Sequence, residues 1–235
     1  TDTPQIAVHV VKTIRALTDE KAKEYAPQVE VSVEREGNTI QIQYTQPSLW
    51  KKVQVNVEYN ILCPPQLDLF LGTTNGAIRV TGVEKSVDAR TTNGDATLSG
   101  GQGIIGMHTT NGSIHVERSR GSFDLSSTNG QIYGRLDSIE NQVQFSTTNG
   151  NVDVEVAQGG APIRATSTNG SVLITLPNDF AGQMDASTFN GHIACEFEIP
   201  VEKPSKKNLK GPIGTGGDHV VYLNTTNGNI EIKKK

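Results

Sequence analysis

Residues 109–116 read Thr-Thr-Asn-Gly-Ser-Ile-His-Val, and variants of this stretch return along most of the chain. The Asn-Gly pair occurs eight times, at successive spacings of 18, 18, 18, 20, 20, 21 and 37 residues. Such regular self-similarity is the sequence signature of a repeat architecture. We therefore predict that each Asn-Gly pair is a structural corner of one repeat. These corner residues are Asn75, Gly76, Asn93, Gly94, Asn111, Gly112, Asn129, Gly130, Asn149, Gly150, Asn169, Gly170, Asn190, Gly191, Asn227 and Gly228.

Apolar and polar residues alternate on both sides of the corners. Ile105 and Met107 precede Asn111, for example, and Ile114 and Val116 follow it. A period of two predicts half-buried strands. Asn-Gly between two strands usually marks an antiparallel hairpin, because both residues tolerate positive φ. We expect the corner Asn, or the Gly after it, to adopt such a conformation.

The uniformity of the corners favours a solenoid over a series of hairpins. A solenoid stacks equivalent residues at ~4.8 Å, so that each column tends to hold one residue type and polar side chains can bond from coil to coil. We predict an all-β, parallel β-solenoid of about eight two-strand coils. Parallel crossovers are overwhelmingly right-handed, so right-handed winding is expected.

The first 66 residues lack the repeat and are predicted to form an N-terminal, β-rich cap. Thr18 precedes Asp19 and Glu20 as a capping residue for one short helix, and Gly37-Asn38 separates two strands. An open solenoid end needs such a cover. The solenoid then spans residues 67–235. Residues 196–220 interrupt it, and their Pro and Gly content predicts a long loop.

The charge of the chain limits its partners. Its 235 residues carry a formal net charge of −4, which argues against a nucleic-acid partner. Residues 201–235 hold seven Lys or Arg against three Asp or Glu, a balance of +4, which leaves −8 on the rest. No apolar run approaches the ~20 residues of a membrane helix, so no membrane insertion is expected. The start at Thr1 favours a mature, exported product after signal-peptide removal, hence an extracellular, cell-surface or periplasmic location.

Three stretches of the sequence resemble the DUF4097 adhesin family, whose domains are toast-rack-like β-helices. They are the step from Ile61-Leu62-Cys63-Pro64 into Leu67-Asp68-Leu69, the repeated Thr-Asn-Gly corners, and the ending Asn224-Thr225-Thr226-Asn227-Gly228-Asn229-Ile230. The resemblance spans nearly the whole chain. It implies an exported or cell-envelope protein with an adhesive or scaffold role, and it carries over no catalytic residue.

The residues that stand directly before each corner Asn are predicted to form a column that faces outward as a surface ladder. It comprises Thr74, Thr92, Thr110, Thr128, Thr148, Thr168 and Thr226, with Phe189 in the corresponding place before Asn190. A flat row of threonines can match an extended glycan or ice. The neighbouring outward column begins with the bulky Arg90 and His108, which disfavours an ice-binding face.

Catalytic and metal chemistry find little support in the sequence. His108 and His115 flank one corner, but no further His or Cys joins them at ligand spacing. No acid, base and nucleophile occur together in a pattern typical of an active site. We therefore predict that the chain is not an enzyme and that it needs no cofactor.

The two ends of the chain are candidates for self-association. Ile6, Val8 and Val10 lie in an apolar run near the start, and Ile230 and Ile232 lie in what we predict to be an exposed final strand. Unpaired strands can extend a neighbouring sheet, and the acidic body would attract the basic end. Such a head-to-tail contact would give filaments. The hypotheses are thus a structural or adhesive module, a filament, or a glycan-binding module.

Overall fold

The computed structural model describes residues 5–47, 53–200 and 205–235. The chain divides into two compact units, Thr1–Pro64 and Pro65–Lys235. Residues 1–4 and 48–52 of the predicted cap, and residues 201–204 of the predicted loop, lie outside the described residues. The fold is mostly β-strand with one short helix, as predicted.

The first unit is made of two separate antiparallel strand pairs and a short helical segment. β1 pairs with β4, and β2 pairs with β3. The helix forms where expected, because the Lys21 backbone N–H donates to Thr18 Oγ1 at 3.3 Å and acidic residues occupy the first turn. The elements are β1 (Ala7–Arg15), α1 (Asp19–Tyr25), a 3-10 turn (Ala26–Gln28), β2 (Glu30–Glu36), β3 (Thr39–Thr45) and β4 (Gln54–Leu62).

This first unit has little core of its own. Among its described apolar side chains only Val29 is fully buried, while Leu17, Val33 and Leu62 are more than half exposed. Two-stranded sheets are marginally stable in water unless they pack against something else. Whether the unit caps the solenoid stays a prediction.

The second unit is a parallel β-solenoid, which confirms the predicted architecture. Its sixteen described strands form one continuous sheet. They are β5 (Leu69–Asn75), β6 (Ile78–Thr81), β7 (Val87–Asn93), β8 (Ala96–Ser99), β9 (Gln102–Asn111), β10 (Ile114–Asn129), β11 (Ile132–Ile139), β12 (Val143–Asn149), β13 (Val152–Val156), β14 (Ile163–Asn169), β15 (Val172–Leu176), β16 (Gly182–Asn190), β17 (Ile193–Cys195), β18 (Asn208–Ile213), β19 (Val220–Asn227) and β20 (Ile230–Lys234). The predicted count of eight coils is not confirmed, and about five turns are supported.

Strands before and after the corners form two stacks joined at the Asn-Gly pairs. The stack before the corners runs β5-β7-β9-β10-β12-β14-β19-β16, and the stack after them runs β6-β8-β10-β11-β13-β15-β20-β17. β10 belongs to both. Its residues 114–117 pair with β8, and its residues 120–129 pair with β9 and β12.

The core lies between the two stacks and consists of the alternating apolar residues. Met107, Leu125 and Phe145 point inward from one stack, and Leu98 and Val116 from the other, all with no exposed surface. Burying one such side chain contributes roughly 1.5–3 kcal/mol. Period-two alternation therefore both forms the strands and fixes their register.

The last coil of the chain is not the last coil of the stack. β19 lies between β14 and β16, and β20 lies between β15 and β17. Ile230 and Ile232 are consequently buried and flanked by strands on both edges. The prediction that they lie on an exposed final strand is wrong, because the long segment after β17 lets the chain return into the stack.

The predicted loop over 196–220 contains a strand. β18 pairs antiparallel with the outer edge of β16, and Pro212 lies opposite Gln183. Proline is tolerated there because β18 pairs on one edge only and its other edge needs no N–H donor. The segment just before β18 continues along the same edge, where Thr188 and Ile193 donate their backbone N–H groups to the carbonyl oxygens of Lys207 and Lys206.

Candidate functional site: the Asn-Gly corner and its ladders

The eight corner Asn side chains form one hydrogen-bonded column. Along the stack their order is Asn75, Asn93, Asn111, Asn129, Asn149, Asn169, Asn227 and Asn190. Each Nδ2 donates to the Oδ1 of the preceding Asn at 2.7–2.8 Å. All seven of these hydrogen bonds therefore run in the same direction along the stack. The Asn carboxamide carries a donor and an acceptor on two separate atoms of a short side chain, which suits a column in which each residue bonds to both neighbours.

Inward-facing hydroxyl groups form a second column two residues before each Asn. Each hydroxyl from the second corner of the stack onward donates to the Gly carbonyl oxygen of the preceding corner at 2.7–3.0 Å. The donors are Thr91, Thr109, Ser127, Thr147, Ser167, Thr225 and Thr188, all of them buried. Because these hydroxyls satisfy buried carbonyls, their role in this arrangement is structural.

The corner glycines are needed for a reason other than the expected one. Among the described residues, neither the corner Asn nor the corner Gly has positive φ, so that prediction is wrong. Instead, a Cβ added to Gly112 would overlap the carbonyl oxygen of Gly94, and the same overlap recurs at the other corners except Gly76. The close stacking of backbones therefore selects glycine here, not the turn conformation.

The segment that carries the corners matches a known family. The model of the Toastrack DUF4097 family matches residues 68–233, which is most of the chain and all of the corners. The chain belongs to this family. The family resemblance noted in the sequence is thereby confirmed.

Other comparisons add little to that assignment. No curated protein matches the chain. A crystal structure of a protein from Clostridium sporogenes, described as a "putative cell adhesion protein", is similar at 14% identity and covers 99% of this chain and 100% of its own. Its TM-score of 0.25 is too low to carry an argument about either fold or function.

The outward threonine ladder of this Toastrack domain is longer than the sequence order suggests. Because the coil of Thr226 is inserted after that of Thr168, Phe189 lies at the end of the ladder and not within it. The seven threonines Thr74, Thr92, Thr110, Thr128, Thr148, Thr168 and Thr226 therefore follow one another without interruption, and all are exposed. Their spacing is that of the stacked strands, ~4.8 Å.

The neighbouring outward column is held by hydrogen bonds along the stack. His108 Nδ1 lies 2.7 Å from Ser126 Oγ, Thr166 Oγ1 donates to Ser146 Oγ at 3.2 Å, and Asn224 Nδ2 donates to Ser187 Oγ at 2.8 Å. These polar groups are half-buried and already paired. The threonine ladder, in contrast, leaves its hydroxyls to solvent or to a ligand.

One feature that the sequence analysis missed is a shallow concavity above Gly106. Gly106 lies between Asp88 and Asp124 in its column, so that the missing side chain leaves a gap between two carboxylates. Phe70 and Ile104, which are 78% and 70% exposed, flank a volume of about 490 Å³. The Arg90 guanidinium donates to Asp88 at 2.8 Å, and this hydrogen bond holds the pKa of Asp88 below its usual value. A glycine in a column of long polar side chains was the available signal.

The two candidate histidines are occupied by other contacts. His108 bonds to Ser126, and the His115 ring lies 5.7 Å from the ring of Tyr133. Tyr133 in turn stacks under the Arg135 guanidinium at 4.1 Å. Within residues 5–47, 53–200 and 205–235, no three His, Cys, Asp or Glu side chains are grouped as metal ligands.

The predicted assembly ends differ in their environment. Val8 and Val10 lie on β1, opposite Ile61 and Tyr59 of β4, and Ile6 directly precedes β1. Since β1 has one strand partner among the described residues, its second edge is unpaired in the sheet.

Among the described residues the one α-helix is the seven-residue α1, far shorter than the ~20 residues that span a bilayer.

Proposed function

We propose that this Toastrack chain is a non-catalytic structural or adhesive module that works outside the cytoplasm. The observation that carries the proposal is the uninterrupted ladder of seven exposed threonines beside the Asn column. A rigid, regularly spaced row of small polar groups suits contact with another extended surface. An extracytoplasmic location is proposed because the family resemblance is to adhesin domains.

The state of the polar groups at the corner supports a non-catalytic role. At the inner corners the inward hydroxyl groups and the Asn amides are hydrogen-bonded from coil to coil in the same way at successive levels. A catalytic residue normally differs from its neighbours in pKa or surroundings, because its chemistry requires it. The inner corners repeat one set of bonded groups and give no such difference.

Glycan binding through the threonine ladder is the alternative function. It can be tested on the triple variant Thr110→Val, Thr128→Val and Thr148→Val, which removes three neighbouring hydroxyls and keeps their shape. The matched control is Thr81→Val, Thr97→Val and Thr175→Val, which removes three hydroxyls from the strands after the corners. Binding to a glycan array and adhesion of protein-coated beads to bacterial cells would be measured for both.

The outcomes separate the two functions. Glycan signals that disappear in the ladder variant and persist in the control would support a glycan-binding module. Bead adhesion that depends on the ladder without any glycan signal would support protein-mediated adhesion. If both variants adhere as the parent chain does, the ladder is not the contact surface and the proposal in this form is wrong.

Head-to-tail self-association is a further part of the proposal, with revised ends. β5 and β6 pair on one edge only within the described sheet, and so does β18 at the other end of the stack. Lys206 is exposed beside β18 and suits an acidic partner surface. We expect Lys206→Glu to reduce association at low salt, whereas Lys21→Glu in α1, with the same change of charge, should not. Light scattering that reports monomers for the parent chain at high concentration would exclude the filament.

A further inference from the structure

The eight Asn-Gly corners are alike in sequence but differ in how their backbone amides are held. At six of them the Gly N–H donates to the carbonyl oxygen of the Asn in the next corner of the stack, at 3.0–3.2 Å. These six glycines are Gly76, Gly94, Gly112, Gly130, Gly150 and Gly170. The bond engages the amide hydrogen, which must be released before the nitrogen can act as a nucleophile.

The two corners without this bond are those of Asn227 and Asn190, and Asn190 lies at the outer end of the stack. In the described part of the chain the Gly191 N–H has no acceptor, because no further corner follows. The Asn190 side chain donates to Asn227 Oδ1 at 2.8 Å, but its own Oδ1 accepts no hydrogen bond from the described residues. Asn190 is exposed. This corner is therefore hydrogen-bonded to a neighbouring corner on one side only, whereas the inner corners are hydrogen-bonded on both sides.

The segment that covers the end of the stack bonds on either side of this corner and not at the corner itself. The backbone N–H groups of Thr188 and Ile193 reach the carbonyl oxygens of Lys207 and Lys206 at 2.9 and 2.8 Å. In addition, Lys207 Nζ donates to the Phe189 carbonyl oxygen at 2.7 Å. These bonds hold the chain on both sides of the corner, while among the described residues the Gly191 N–H and the Asn190 Oδ1 have no hydrogen-bond partner.

We propose that Asn190-Gly191 is a site of spontaneous deamidation, selected from eight identical dipeptides by its position in the stack. After a water or hydroxide base removes the Gly191 N–H proton, the nitrogen attacks Cγ of Asn190. The new N–Cγ bond closes a five-membered succinimide, the Cγ–Nδ2 bond breaks, and Nδ2 leaves as ammonia after taking up a proton. Water then opens either carbonyl of the ring to give Asp or isoAsp. Glycine offers no side chain to hinder the attack.

The inner corners resist the same reaction because more bonds must open first. At Asn111, for example, the side chain is bonded on both sides and the Gly112 N–H is engaged. Asn227 is an intermediate case: its side chain is bonded to Asn169 and Asn190, while the Gly228 N–H has no acceptor among the described residues. The expected order of reaction is Asn190 first, Asn227 second, and the inner corners last.

The product would weaken the end of the ladder. A carboxylate at position 190 has no donor for Asn227 Oδ1, so two acceptors would face each other where the amide bond was. The chain gains a negative charge beside Lys207. Deamidation would therefore loosen the terminal corner and its contact with Asn227 while leaving the inner corners unchanged, a local change in the part of the stack with the fewest neighbours.

Incubation of the full folded chain at mildly alkaline pH in ¹⁸O water, followed by peptide mass spectrometry, tests the proposal. The label and the mass change identify deamidation at each corner, and chromatographic separation of the isomeric peptides distinguishes Asp from isoAsp. We expect the rate at Asn190 to exceed that at Asn111 by more than about tenfold, since several additional hydrogen bonds must open at Asn111. In the urea-unfolded chain the eight rates should converge, because the dipeptide is the same everywhere.

The variant Asn190→Asp tests whether the corners react independently of one another. Asn190→Asp should leave the rates at Asn111 and Asn129 unchanged and raise the rate at Asn227, whose side chain then has one amide neighbour fewer. If Asn190 reacts no faster than the inner corners in the folded chain, or if it stays intact while the unfolded chain reacts, the proposal is overturned.

Discussion

Glycine occurs on the Asn-Gly side of the solenoid and at several positions on the opposite side, where it serves different purposes. On the Asn-Gly side the backbones of successive coils approach so closely that a Cβ at Gly112 would overlap the Gly94 carbonyl oxygen, although φ there is not positive. On the opposite side Gly100 has a φ of 70° and its added Cβ would meet nothing closer than 3.9 Å. Glycine is therefore selected for its size at Gly112 and for its conformation at Gly82 and Gly100.

This difference changes how a repeat motif should be interpreted. Asn-Gly in a single hairpin reports a backbone conformation that both residues tolerate. In this stack the same pair reports contact between coils, because Asn bonds to Asn and Gly lies under a carbonyl. Substitutions that separate size, hydrogen bonding and φ should therefore have graded and predictable effects.

The largest expected effect is that of Gly112→Ala. The added methyl group must displace the carbonyl of Gly94, which belongs to the neighbouring coil, so the cost of overpacking should be about 3 kcal/mol. Gly76→Ala is the matched control, because the nearest atom to its Cβ would be Thr73 Oγ1 at 3.4 Å. Urea denaturation followed by circular dichroism measures both. Equal unfolding free energies for the two variants would show that close stacking does not select glycine.

A smaller effect is expected when one amide is removed from the Asn column. Asn129→Ala deletes the donor to Asn111 and the acceptor for Asn149, so it should cost roughly 1–2 kcal/mol. Asn75 begins the column and only accepts, from Asn93, so Asn75→Ala should cost about half as much. The same denaturation experiment measures this ratio. If the end variant is as damaging as the middle one, the column does not act through its pairwise bonds.

Two adjacent threonines offer a sharper test of the inward and outward columns. Thr147 is 4% exposed and donates to the Gly130 carbonyl oxygen at 2.9 Å, so Thr147→Val should cost about 1 kcal/mol. Thr148 is exposed on the ladder, and Thr148→Val should change the unfolding free energy by less than about 0.5 kcal/mol. Both variants keep the β-branched shape, so the difference between them isolates the hydroxyl. A reversed order would contradict the assignment of the two faces.

The repeated strands and corners could be predicted from the sequence, because each coil carries its own alternation and its own Asn-Gly pair. The order of the coils could not be predicted. The coil of Asn227 has the same motif as the coil of Asn190, so nothing in either sequence says which one follows Asn169 in space. β18 was missed because Pro212 and the surrounding glycines suggest a loop, whereas an edge strand tolerates them.

The candidate surface was predictable only in part, for the same physical reason. The exposed threonines follow from period two and were identified residue by residue. The continuity of their ladder depends on the insertion of the last coil, which puts Phe189 at its end. The concavity above Gly106 depends on which residues lie above and below it, and that too is a property of stacking rather than of local sequence.

The smallest expected effect is that of a substitution on the side of the coil opposite Asn-Gly, at a position with positive φ. Arg118 has a φ of 50° at the position that Gly82 and Gly100 occupy, with φ of 68° and 70°, in the two preceding coils. Positive φ destabilises a residue that has a side chain by about 1–2 kcal/mol. Glycine instead lowers stability by about 0.5–1 kcal/mol, because it loses more conformational entropy on folding. Arg118→Gly should therefore stabilise the solenoid by about 0.5 kcal/mol, although it removes the exposed hydrogen bond from Arg118 to Ser99 Oγ at 2.6 Å.

Arg120→Gly is the matched control for this prediction. Arg120 also donates one exposed hydrogen bond to the preceding coil, to Gln102 Oε1, but its φ is not positive. Glycine there should only lose entropy and contacts, and so destabilise. We expect the midpoints of thermal unfolding to move in opposite directions, upward for Arg118→Gly and downward for Arg120→Gly. If both midpoints fall by the same amount, the arginine hydrogen bonds outweigh the backbone strain, and conformation does not decide the choice of residue on this side.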